Sequence, residues 1–176
     1  MKKIGYLILI GIILLSGCSN QSRKAQTQVH EGTSKPANIQ FTLPQEWTVW
    51  ENAPEDSKGG EETGLLAENT LTGSSIRIQY EDLTAIKGGT LIRMEDYVRL
   101  YREKLMTSKE YTYSCTEAEE AELYQEVYYC FTAQVEETKA RQHFYLRRID
   151  DMIMVMTITL YGEDTLENVL EYGKSL

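Results

Sequence analysis

The order of apolar and polar positions divides the chain into an apolar leader, a polar stretch and a patterned region. Ile4 to Leu15 are apolar except for Gly5, Gly11 and the amphipathic Tyr6. Ser19 to Asn38 (SNQSRKAQTQVHEGTSKPAN) carry almost nothing apolar and no period. A segment of that kind predicts a linker, with His30 solvated inside it. From Ile39 the pattern alternates: Ile39, Phe41 and Leu43 against Gln40 and Thr42, closed by Pro44, predict a half-buried strand. Trp47, Val49 and Trp50 predict a second strand. Leu65–Asn69 and Ser75–Tyr80 predict a hairpin turning at Thr70–Ser74, and the polar stretch Asn52 to Thr63 a loop. At Met94 the period changes. Met94, Tyr97, Val98, Tyr101 and Leu105 make one helical stripe, with Glu95 and Asp96 in the first turn and Lys104 near the end. Tyr111–Thr116 then predicts a strand, leading through an acidic turn near Glu122 into Gln125–Val135. Arg141–Ile149 returns, Asp150-Asp151 turns, and Met152–Tyr161 is apolar on both faces, as a central covered strand should be. A closing helix is predicted over Asp164–Gly173, burying Leu166, Val169 and Leu170. The class is α+β: an antiparallel β-sheet meander with an N-terminal β-hairpin layer and helices packed on it.

The leader has a chemical meaning of its own. Lys2 and Lys3 precede a twelve-residue apolar run, which as a helix covers about 18 Å against the ~30 Å hydrocarbon core. It is too short for a span and reads as a signal-peptide core. Leu15-Ser16-Gly17-Cys18 follows and resembles the lipobox of bacterial lipoproteins. The small Ser16 and Gly17 let a peptidase reach the backbone, and the Cys18 thiol is the nucleophile for a diacylglyceryl group. Cleavage between Gly17 and Cys18 leaves Cys18 as the new N-terminus. The expected division is therefore 1–17 signal peptide, 18–38 lipid-anchored linker and 39–176 globular domain. Two or more acyl chains of palmitate type, at ~0.8 kcal/mol per buried methylene, hold such a protein at the extracytoplasmic face of the cell membrane.

Charge narrows the partners. The chain carries 18 Lys+Arg against 27 Asp+Glu, net −9, and loss of Lys2 and Lys3 with the leader takes this to −11. That balance excludes a general nucleic-acid binder and keeps the domain off an anionic bilayer. With two histidines and three cysteines in 176 residues, there is little material for a metal cluster or a His-based catalytic centre. No metal, cofactor or catalytic set is expected.

The remaining candidates are few. Cys115 and Cys130 come opposite each other if their strands meet near Glu122-Leu123, and outside the cytoplasm such a pair forms a disulfide; the alternative is two separate half-buried thiols. Arg141, His143, Tyr145 and Arg147 alternate on what reads as the outward face of their strand, a basic, aromatic surface for a partner. The acidic groups around Glu119 and Glu55 lack the spacing of a calcium loop and read as solvated. Twelve tyrosines, Tyr111, Tyr113 and Tyr128 among them, suit interfaces but are equally good strand formers. Met152, Met154 and Met156 read as core packing.

The order of elements resembles the PsbP-like superfamily, which includes Ran-binding Mog proteins and DcrB-type bacterial lipoproteins. The resemblance rests on Phe41-Thr42-Leu43-Pro44 followed by Trp47, the Ile76/Ile78 strand, the Met94–Met106 helix, three successive strands and the short final helix. It covers about Ile39 to Leu176 and implies a PsbP-like α/β/α sandwich and a non-enzymatic binding or assembly factor. Three readings stand open: a lipid-anchored module for a protein or envelope partner, a ligand-binding or sensing lipoprotein of a transport or signalling system, and a surface hydrolase built around His143.

Overall fold

A computed structural model describes residues 30–34, 37–51 and 61–176. The signal segment, Cys18 and the first part of the expected linker lie outside the described residues.

The backbone of the fold is an antiparallel sheet. Its strands are Trp47–Glu51 (β3), Glu61–Asn69 (β4), Ser75–Asp82 (β5), Tyr113–Cys115 (β6), Glu119–Leu123 (β7), Glu126–Val135 (β8), Arg141–Ile149 (β9) and Met152–Leu160 (β10). Their spatial order is β3-β4-β5-β10-β9-β8-β6, with β7 also pairing β8. The doubly apolar β10 takes the centre, between β5 and β9. On one face Met154, Met156 and Ile158 join Ile76, Ile78 and Tyr128 in a core cluster. On the other, Ile153 and Val155 join Phe131, Phe144 and Leu146.

Two unlike layers cover these faces. The helix Met94–Met106 (α1) lays Tyr97 and Val98 on the second face, as its stripe predicts. The first face is covered by a small sheet and a short helix. His30–Ser34 (β1) and Gly173–Ser175 (β11) flank Ile39–Leu43 (β2), whose Ile39, Phe41 and Leu43 are almost wholly buried. The helix Leu166–Glu171 (α2), capped by the Thr165 hydroxyl accepting from the Asn168 N–H, adds Val169.

The strand β1 corrects the expected linker, which ends before His30 rather than at Asn38. Its residues pair with β2 from His30 opposite Leu43 to Ser34 opposite Ile39. The pairing depends on Gly32: a Cβ there would stand 2.7 Å from Leu65 Cδ1 and 2.9 Å from Val49 Cγ1. Backbone hydrogen bonds and the missing side chain hold β1 down, so hydropathy gives no sign of it. Two further strands exceed the reading. The acidic turn is instead β7, and the chain reverses at Tyr124-Gln125, both at positive φ (53° and 65°). The final helix is shorter than predicted and gives way to β11.

Burial separates Leu146 of β9 from Val127, an apolar position of the β8 stripe. Leu146, opposite Tyr129 of β8, is fully buried, while Val127 of the Val127–Val135 alternation is 59% exposed. Leu146→Ala is expected to cost about 2–5 kcal/mol in urea unfolding, and Val127→Ala no more than about 0.5 kcal/mol. Equal costs would contradict this placement of the core.

Candidate functional site

Of the four residues expected to face outward on β9, only Arg141, at the strand end, is exposed. Tyr145 is buried, and His143 and Arg147 are half-buried. The face they share is the one covered by the small sheet and α2, so the expected partner surface is an interlayer seam. Arg147 Nη1 pairs with Glu126 Oε2 at 2.7 Å, its Nη2 donates to the Ala37 carbonyl at 3.4 Å, and its guanidinium lies 5.5 Å over the Tyr128 ring. Tyr145 meets Tyr128 edge-on at 6.2 Å, and burial pushes its phenol pKa up to about 12. Arg and Tyr alternating along a strand read as solvent-facing; their apolar stems instead fill space between layers.

His143 lies in the same seam. Its Nδ1 is 3.2 Å from Thr132 Oγ1, and its buried Nε2 has no partner. Burial first, then the Arg141 charge, lowers its pKa below the usual imidazole value. The geometry does not assemble a Ser–His–Asp set around it. Among the described residues no group of three His, Cys, Asp or Glu side chains is placed to hold a metal ion.

The cysteines do not meet. With the turn at Tyr124-Gln125, Cys130 falls opposite Glu119, and Cys115 opposite Ala133. Cys115 packs with the α1-side cluster and Cys130 with the small-sheet cluster, on opposite faces of the sheet. Both are free thiols, which corrects the expected disulfide. Burial raises the pKa of each above that of an exposed thiol.

What the fold does open is a trough along α1. Its first part lies between the shoulder of α1, at Leu100 and Lys104, and the loop that follows β5, at Leu83, Ile86 and Ile92, with a volume of about 220 Å³. That loop is held by Arg148, whose Nη2 donates to the Thr90 carbonyl at 2.9 Å and Nη1 to the Ile92 carbonyl at 3.3 Å. It turns sharply at Gly88 (φ 76°) and Gly89, where a Cβ would stand 2.4 Å from the Leu83 carbonyl oxygen. Tyr97 and Tyr101 form the floor, stacked at 6.2 Å, with the Tyr97 hydroxyl donating to Glu81. Past Tyr101 and Lys104 the trough continues for about 320 Å³ to Tyr111 and Tyr113. These two rings line a third depression of about 170 Å³, which reaches Tyr161. A separate polar cleft of about 400 Å³, lined by Arg141, Gln134 and Thr138, lies round the β8–β9 hairpin on the opposite, small-sheet face and shares Thr138 and Tyr161 with the third depression.

The trough is apolar at the Ile86–Leu100 end, and tyrosines line the depressions that follow it. Ile86 is 43% and Leu100 47% exposed. Leu100 has no place in the stripe the sequence predicts, Tyr97 and Tyr101 read there as core-facing, and Tyr111 and Tyr113 as strand formers. The signal present was that Leu100 lies off the buried stripe of an otherwise well-patterned helix. The arrangement suits capture of an extended, partly apolar occupant.

No family model and no curated protein matches the sequence. Solved structures do match it in fold. The solution structure of cyanobacterial PsbP (CyanoP) from Synechocystis sp. PCC 6803 superposes with a TM-score of 0.56 at 11% identity, over 92% of this chain and 99% of that chain. LpqN of Mycobacterium tuberculosis, described as involved in cell envelope biogenesis, gives 0.46 at 12% identity over 86% and 92%. The Saccharomyces cerevisiae Ran-binding protein Mog1p gives 0.39 at 12% identity over 77% and 78%. The first of these carries the assignment: the chain has the PsbP-like fold.

Two predictions follow from the seam and the thiols. A chain with Cys18 replaced by Ala, unfolded without reductant, should yield two thiols to Ellman's reagent, slowly when native and at once in urea; fewer than two would restore the disulfide. His143 is held neutral, so the unfolded chain binds its proton more readily than the folded one. Stability should therefore be full above about pH 6.5, the ordinary imidazole range, and fall as pH drops below it. His143→Asn should flatten that slope in thermal melts at pH 5 to 7; an unchanged slope would refute the buried neutral imidazole.

Proposed function

We propose that this chain is a membrane-anchored extracytoplasmic lipoprotein acting as a non-enzymatic binding or accessory module, and that the apolar end of the α1 trough takes a segment of a protein partner. The observation that carries the reading is the pair of half-exposed apolar side chains, Ile86 and Leu100, facing across a tyrosine floor. The two line one groove, so a single segment laid there covers both apolar side chains at once and packs on the half-buried Tyr101. Support for the anchor comes from the sequence: the short apolar run, Ser16-Gly17 and Cys18. The PsbP-like fold is compatible with an accessory role.

The test places a photo-crosslinking amino acid at Leu100 in the full chain, expressed in its own cells. A discrete crosslinked partner is expected in the membrane fraction, reduced at least tenfold when Ile86→Asp is added and absent from a tether-only control. With Cys18→Ala the chain should move to the soluble fraction or stay unprocessed. Crosslinks indifferent to Ile86→Asp would sink the groove, and membrane retention of a processed Cys18→Ala chain would sink the anchor.

A further inference from the structure

We infer that the polar cleft at the β8–β9 hairpin, around Arg141 and Tyr161, is a binding site for an acidic oligosaccharide. The site is separate from the apolar end and does not depend on the protein-docking reading.

The cleft is built on fixed backbone. The Tyr161 N–H donates to Ser74 Oγ at 2.9 Å, and Ser74 Oγ–H donates back to the Tyr161 carbonyl at 3.3 Å; Ser74 is fully buried. The Tyr161 ring, 36% exposed, is therefore presented to solvent from an anchored position. It stands between the 400 Å³ cleft and the 170 Å³ depression, which lie on either side of the β8–β9 hairpin and share Thr138 and Tyr161. The second depression offers another aromatic wall, Tyr111 and Tyr113, packed edge-on at 6.4 Å.

The polar groups are left unused on the side facing the cleft. Gln134 Nε2 donates to the Ala140 carbonyl at 3.1 Å, which leaves its amide oxygen to accept. The one carboxylate in the cleft wall, Asp164, accepts from Asn69 Nδ2 at 3.4 Å and from the Thr72 hydroxyl; it keeps its charge there, directed away from an ion pair with Arg141. Lys139 is paired with Glu136. Arg141 has no carboxylate partner among the described residues, in a chain of net charge −9.

These features select a ligand class. A wide polar cleft cannot desolvate an apolar molecule, so affinity there has to come from stacking and directed hydrogen bonds. A pyranose supplies both: its C–H face lies on the electron-rich face of a tyrosine, and its hydroxyls pair with an amide oxygen and with Thr138. The free guanidinium adds a planar fork matched to a carboxylate. Two depressions with a ring between them suit several linked units better than one. A uronic-acid oligomer has all of these properties.

The purified chain is titrated by calorimetry with tetragalacturonate, with neutral maltotetraose, and with acetate and inorganic phosphate. Tetragalacturonate is expected to bind tightest. Arg141→Gln should weaken it at least tenfold while leaving maltotetraose unchanged, and Tyr161→Ala should weaken both at least tenfold. Lys139→Glu, at the exposed hairpin tip, should weaken only the uronate and keeps the test open if the Tyr161 variant fails to fold. Val127→Asp, exposed at the other end of β8, should change neither. The inference is overturned if neither saccharide binds at millimolar concentration. It is equally overturned if phosphate or acetate binds as tightly as the uronate, which would make the site a simple anion trap, or if folded Tyr161→Ala binds normally.

Discussion

The structure depends on one strand that has no solvent face. Met154, Met156 and Ile158 leave β10 on one side, Ile153 and Val155 on the other, and all five are nearly or wholly inaccessible. A sheet whose middle is apolar on both faces must be covered twice. On one side α1 suffices, because Tyr97 and Val98 present a narrow stripe that the rings of Phe131 and Phe144, stacked at 4.8 Å, can meet. On the other, three short strands and one and a half turns of helix share the task. Every later feature, including the trough, follows from how these covers stop short of the sheet's edges.

Both covers combine burial with directed contacts. On α1 the Tyr97 hydroxyl donates to Glu81, and Arg102 pairs with Glu117 at 2.9 Å while lying 6.0 Å over the Phe131 ring. The small-sheet layer is fixed by direction as well as burial: Arg147 reaches the Ala37 carbonyl while ion-paired to Glu126 and lying over Tyr128. The Tyr124 hydroxyl donates to the Leu170 carbonyl at 2.9 Å and ties α2 to the β7–β8 turn. Burial pushes that phenol's pKa well up, so it keeps its proton and its donor role throughout the ordinary pH range. A polar seam of this kind sets the register of one layer on another where apolar contact alone would let it slide.

What could be read from the sequence depended on what specifies each element. Strand β10, helix α1 and the Asp150-Asp151 turn were legible because side-chain period or turn chemistry specifies each. Strand β1 was not, because Gly32 and backbone pairing make it. Strand β7 escaped because Tyr124 and Gln125 take positive φ without glycine or asparagine to announce it. That miss propagated: shifting the turn moved Cys130 opposite Glu119 and put the two thiols on opposite faces. The seam of β9 was misread because Arg147 and Tyr145 look like surface residues in one dimension. The trough could not be read at all. It joins Ile86, Leu100, Tyr113 and Tyr161, residues whose proximity exists only after the sheet has brought β6 and β10 to the same end.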